Sequence, residues 1–247
     1  MEETILRLKT DIANNFWKNK FKDIGHVINP RKIKNKNLKV LTLTNSRNMD
    51  EIRILNEECI SSKIHILAWC KNSIEALSLD AEGKVNEVID EIEFEETILN
   101  CGQHKIFDRL PFHILNIDFS SQEIEILNGR IEKELKSIEK IFSEQKRFGN
   151  SSFIVMYTTL LEQTAVNTTT IKNNSDQFLV SSWHGLNLSK SNNINSIADK
   201  ILTLKEFFQQ LAQKYNVNAE IEDHILTIDS NNSLCSVSFF INGDNNG

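Results

Sequence analysis

The sequence predicts a doubly wound α/β fold: a mostly parallel sheet with helices on both faces, ending in an antiparallel hairpin. Three observations carry this. Apolar runs of strand length recur at 38–44, 63–69, 112–117 and 151–163, with a weaker one at 84–89. A helical pattern follows each of them, so strand and helix alternate five times, as a parallel sheet with helical crossovers requires. The chain then closes on "AEIEDHILTID" and "LCSVSFFIN", two strand-like runs separated only by "SNNS", which is hairpin spacing. A chain of 247 residues can bury the core of one such domain without needing a second.

Residues 3–22 place Ile5, Leu8, Ile12, Phe16 and Phe21 at helical spacing, which predicts an amphipathic first helix that ends before Pro30. The chain divides here into an N-terminal helix and basic linker, residues 1–37, and an α/β domain, residues 38–247. "LKVLTLT" alternates as a strand and ends in "NSRNMDE", where Asn45, Ser46 or Asn48 can cap a helix running to Glu58. "KIHILAW" repeats the unit, and in "CKNSIEALSLDA" Ile74 and Leu77 suit a short helix packed on the sheet. "KVNEVI" is the weaker third strand, and the acidic "DEIEFEETIL" reads as a loop entering a small helix. "PFHILNIDF" is the fourth strand. After it, residues 120–146 set Ile124, Leu127, Ile131, Leu135, Ile138 and Phe142 on one helical face. "SSFIVMYTTLLEQ" is apolar on both faces, as the interior of a parallel sheet demands. Residues 164–195 are polar, Asn-rich and irregular, and read as a long insertion; a helix over 194–215 follows.

The net charge of −6 hides an asymmetry: residues 1–39 carry ten Lys/Arg against four Asp/Glu, or +6, which leaves −12 for the remainder. Such a split lets a basic arm meet phosphate or an acidic partner while the body repels bulk nucleic acid. Phe16, Trp17 and Phe21 alternate with Lys18, Lys20 and Lys22, a pattern that fits base stacking between phosphate contacts or, equally, aromatics docked on the core with lysine stems alongside. A protein partner or a homo-oligomer is compatible with the same chain. No apolar run approaches the length of a membrane span and the first twenty residues do not form a signal peptide, so a cytoplasmic protein without membrane attachment is expected.

Cys59, Cys70, Cys101 and Cys235 are scattered and form no CxxC pair, which removes support for a zinc or disulfide framework. His65 and His113 lack spaced Cys or His neighbours, so no metal is expected on them. No Gly-x-Ser-x-Gly turn exists for a nucleophilic serine. In "SSWHGLN", Trp183 and His184 suit either stacking and proton transfer over a substrate or the anchoring of a loop to the body. Ligands of doubly wound sheets sit beyond the carboxyl ends of the strands. The three candidate rims are therefore Thr44 to Asn48, Cys70 to Asn72 and Asn116 to Ser120.

With those rims placed, the order of five βα units and a terminal hairpin resembles the class I S-adenosylmethionine-dependent methyltransferases, whose fold is Rossmann-like. "FHILNIDFSS" is similar to the family's fourth-strand motif, which floors the methyl-transfer site. The resemblance spans residues 38–241. It implies that Asn116, Asp118 and Phe119 position the methyl acceptor, as in the branch that methylates amino groups of nucleic acid, although neither proline of that branch's motif is present. It implies S-adenosylmethionine as cofactor, with Thr44, Asn45 and Ser46 in the turn after the first strand, Cys70 and Lys71 at the ribose position, and Asp90 near the adenine amine. The turn "TNSRNMDE" contains no glycine, and a thiol cannot replace the carboxylate that accepts two ribose hydroxyls. Two functions follow: methyl transfer to nucleic acid or another macromolecule, or an inactive methyltransferase-fold subunit serving as an interaction or scaffold component.

Overall fold

The computed structural model describes residues 2–27, 38–43, 50–58, 64–70, 73–81, 83, 85–90, 94–100, 105–119, 130–147, 153–162, 197–215, 217–228 and 232–242. Seven strands form one sheet: β1 (Leu38–Leu43), β2 (Ile64–Cys70), β3 (Glu87–Asp90), β4 (Ile114–Asp118), β5 (Phe153–Glu162), β6 (Asn218–Thr227) and β7 (Asn232–Asn242). Their order is β3-β2-β1-β4-β5-β7-β6. Strands β1 to β5 are mutually parallel, and β7 pairs antiparallel with both β5 and β6. This is a Rossmann-like α/β sheet with its antiparallel pair at one edge, the class that the sequence predicts.

The helices are α1 (Glu2–Ile12), a π-helical turn (Ala13–Trp17), α2 (Lys18–Val27), α3 (Asp50–Glu58), α4 (Ser73–Ala81), α5 (Phe94–Asn100), α6 (Arg130–Lys146) and α7 (Ile197–Lys214). Side chains of a strand alternate between faces, so each strand supplies two cores. On the first face Val40, Ile66, Ile114, Ile154 and Met156 pack against Leu8, Ile12, Phe16, Trp17 and Phe21 of the N-terminal helices and Ile52 and Leu55 of α3. On the second, Leu115, Ile117, Val155, Tyr157 and Phe239 pack against Leu135, Ile138 and Phe142 of α6 and Leu204, Phe207 and Phe208 of α7. Continuous burial along β4 and β5 on both faces explains their lack of polar alternation. Strand β6 alternates between exposed and half-buried positions, as an edge strand with one wet face does.

The first helix region extends further than the spacing of its apolar residues alone indicates, to Val27, through the π turn. Trp17 and Phe21 are 0% and 1% exposed, so these rings belong to the core, and Lys20 lies along the Phe16 ring. In α4 the helix is where the sequence puts it but faces the other way. Ile74 and Leu77 are 81% and 69% exposed, while Leu79 packs against Ala68 and Cys70. The run "SIEALSL" has no strong apolar stripe, so its periodicity leaves the inward face undetermined, and in the fold it is Leu79 that packs against the small Ala68 and Cys70. Among the described residues, no helix is long and apolar enough to cross a membrane.

Candidate functional site

The first and second strands and the fourth lie side by side and point the same way. Val40, Leu41 and Thr42 of β1 pair with Ile66, Leu67 and Ala68 of β2 on one side and with Ile114, Leu115 and Asn116 of β4 on the other. The helices after β1 and β4 pack on opposite faces, so the sheet changes winding direction between these two strands, the place beyond whose carboxyl ends sheets of this class take ligands.

The β1–β4 register sets Thr42 and Asn116 next to each other on the first face, and two residues on from Asn116 comes Asp118. Asn116 donates one amide hydrogen to Thr42 Oγ1 (3.0 Å) and the other to Glu51 Oε2 (2.5 Å). Glu51 stands in the first turn of α3, where a helix favours acids, yet it is turned inward and only 5% exposed. Asp118 Oδ2 accepts the ammonium of Lys9, from α1, at 2.8 Å, with both side chains 6% exposed. The cluster therefore draws on α1, α3, β1 and β4. Asn116 Oδ1 is buried with no hydrogen-bond partner among the described atoms. Below it lies a cavity of about 10 Å³ between Phe21, Ile52, Leu55, Ile114 and the Glu51 and Asn116 side chains, the size of a single water. No organic ligand fits in that space.

Burial is the main reason that Glu51 is pushed up from its ordinary 4.5 to about 8, and the Asp118 charge adds to it; Lys9 and the Asn116 hydrogen bond pull the other way. At neutral pH the Glu51 carboxyl thus holds its proton, and the cluster carries one cation, Lys9, against one anion, Asp118.

A polar row continues from the cluster across the sheet. Asp118, Thr158, Ser236 and His224 lie in register on β4, β5, β7 and β6, with Thr158 and Ser236 hydroxyls 2.7 Å apart and His224 stacked on Phe16. His113 is occupied structurally, its Nδ1 accepting the backbone N–H of Lys39. No group of His, Cys, Asp and Glu able to hold a metal ion occurs among the described residues.

Of the residues that the sequence singles out, Asn116 and Asp118 come together on the first face. Phe119 does not join them: it is 1% exposed on the opposite face, against Phe94 and Tyr157. Cys70 ends β2 as a buried thiol, 1% exposed, beside Ala68 and Leu79. Asp90 ends β3 in register with Cys70. Thr44, Asn45, Ser46, Lys71, Ser120, Ser121, Cys59, Cys101, the 164–195 segment and its Trp183 and His184 lie outside the described residues. Lys9 and Glu51 escape a reading of the sequence, because an amphipathic helix and an acidic first turn are ordinary places for Lys and Glu. The one available hint was that Lys9 follows Leu8 on the edge of the apolar stripe of α1.

No family model matches the chain, and no curated protein matches it either. Solved structures similar to it include the plantazolicin methyltransferase BpumL in complex with SAH, at 9% identity and a TM-score of 0.44 over 98% of this chain and 90% of that one. A protein described as an O-methyltransferase, from Klebsiella pneumoniae, is 8% identical with a TM-score of 0.41 over 91% of this chain and 80% of that one. A protein described as a zinc-dependent alcohol dehydrogenase, from Rhodobacter sphaeroides, is 11% identical with a TM-score of 0.37 over 85% and 87% of the two chains.

Proposed function

We propose that this chain binds S-adenosylmethionine at the carboxyl ends of β1, β2 and β4 and transfers its methyl group to an acceptor held at the tip of β4. The observation that carries the reading is the buried Thr42–Asn116–Glu51 and Asp118–Lys9 cluster, set where the sheet reverses its winding. The cofactor supplies an activated methyl group, so the protein's task is alignment and exclusion of water.

The residues suit the charged end of that cofactor. A sulfonium is favoured near an anion in a site of low dielectric, and Asp118, ion-paired with Lys9, is the carboxylate of the cluster at the β4 tip. Asn116, with both amide hydrogens committed, turns a buried acceptor oxygen to whatever donor reaches it. The ribose end receives no carboxylate from Cys70, so its contacts come from backbone or from the neighbouring turns. Phe119 acts from behind the sheet, packing the β4 tip against Phe94 and Tyr157 and not stacking on the acceptor. The methyl acceptor we propose is a nucleic acid or other macromolecule.

Calorimetric titration with S-adenosylmethionine and its demethylated product tests this. Binding near micromolar supports it. No heat at millimolar ligand would leave the chain as a non-catalytic interaction subunit. In Asp118→Asn, affinity for the cationic cofactor should fall more than affinity for the neutral product.

A further inference from the structure

We propose that the chain forms a two-fold symmetric dimer in which the outer edge of β6 pairs antiparallel with the same edge of a second copy, so that two seven-stranded sheets become one continuous sheet. The inference is independent of the proposed function.

The sheet ends in two unlike edges. β3 has four residues and offers little to pair with, whereas β6 has ten, Asn218–Thr227. β6 follows β7 in an unbroken register along its whole length, and among the described residues no strand covers its other side. Edges of that length are commonly blunted by proline, lysine or a bulge, and "NAEIEDHILT" has none of the three. Two of its acids are countered by the chain's own lysines: Lys20 of α2 pairs with Glu222, and Lys205 of α7 with Asp223 at 2.6 Å.

Apolar surface is exposed at the same edge. Ile225 is 40% exposed, and Leu202 of α7 is 59% exposed. α7 ends at Lys214 and β6 begins at Asn218, so helix and strand run in opposite directions. From the Lys205–Asp223 pair, Leu202 lies about one turn back along the helix and Ile225 lies two residues on along the strand, toward the same end. Both stand at the outer margin of the second face.

A second copy matches this edge in chemistry. A two-fold axis normal to the sheet sets residues of one face opposite residues of the same face. With the axis at Asp223, Ile221 lies opposite Ile225 of the second copy on the second face, and Glu222 lies opposite His224 of the second copy on the first. Symmetry repeats each pair. Asp223 meets its own copy, and Lys205 of each chain neutralises it. Shifting the register either way sets Glu222 against Glu222 or His224 against His224, and it puts Asp223 opposite an isoleucine. Apolar and charge complementarity therefore select a second copy in one register.

Sedimentation velocity of the full chain over a concentration series tests this. The wild type should sediment at twice the chain mass and dissociate on dilution. Ile225→Lys, at an exposed position, should weaken association by about tenfold or more, because two apolar cross-strand pairs are lost at once. Single cysteines report the register. Residues facing each other across an antiparallel pair lie about 4.5–5.5 Å apart at Cα, within the span of a disulfide. Under mild oxidation Asp223→Cys should therefore give a disulfide-linked dimer, and His224→Cys and the wild type should not. A wild type that stays monomeric at every concentration overturns the inference. So does a dimer that Ile225→Lys leaves intact, and so does a cross-link at position 224 in place of 223.

Discussion

Two of the buried glutamates, Glu134 and Glu51, lie on opposite faces of the same sheet, and their surroundings differ. Glu134 of α6, 0% exposed, accepts from the Tyr157 hydroxyl at 2.6 Å and the Thr159 hydroxyl at 3.2 Å, both on the strand it packs against. Glu51 of α3, 5% exposed, sits among ions: Lys9 and Asp118 surround it, and Asn116 is its hydrogen-bond partner. Hydroxyls of β5 hold one oxygen of the first carboxyl, Oε2, where α6 packs on the sheet. Ions that belong to α1 and to the tip of β4 surround the second, which joins three separate elements. The contrast teaches that a buried carboxyl is not by itself a functional sign; its neighbours decide.

The strongest way to break this comparison is Lys9→Met. It keeps the apolar stem but leaves Asp118 buried without its cation, and should cost about 3–5 kcal/mol, read as a fall in urea midpoint. A loss below about 1 kcal/mol would mean that the ion pair is not what binds α1 to the strand tips.

Glu51→Gln should act in the opposite direction and depend on pH. The folded chain holds a proton on Glu51 up to about pH 8, whereas the unfolded chain releases it near 4.5. Folding therefore binds a proton in that window, and wild-type stability falls as pH rises through it, by at most about 1.4 kcal/mol per pH unit. Gln imitates the protonated carboxyl and removes this slope. Denaturation curves at several pH values should show the variant gaining on the wild type from about pH 4.5 to 8 and the gap constant outside those limits. Parallel curves would contradict the assignment.

Tyr157→Phe removes a donor to Glu134 and should cost about 1–3 kcal/mol. It should leave binding of S-adenosylhomocysteine unchanged, since that network lies across the sheet from the Asn116–Asp118 cluster. The smallest effect is expected from Arg53→Ala. Its guanidinium, 45% exposed, reaches Glu57 and Asp50 on the helix surface, and the change should stay within about 0.5 kcal/mol.

Much of the fold is legible in the letters because burial writes a period into each element. "FIVMYTTLL", with its β-branched residues, reads as a strand covered on both sides, and the spacing of Leu135, Ile138 and Phe142 reads as one face of a helix. Where the period is missing, the reading fails locally, as at Ile74 and Leu77. The buried polar cluster was legible only in part. Asn116 and Asp118 stand out because polar residues interrupt an apolar strand, but the same alternation sends Phe119 to the far side, which adjacency in sequence conceals.

By itself, then, the sequence determined the alternation of strand and helix, the terminal hairpin and the polar tip of β4, all of which depend on spacing within a few residues. Only tertiary structure decided that Lys9, 109 positions before Asp118, would neutralise it, and that Glu51 would be buried against Asn116, 65 positions away. Coulomb energy and desolvation depend on separation in space and on exclusion of water. A linear chain encodes neither until it has folded.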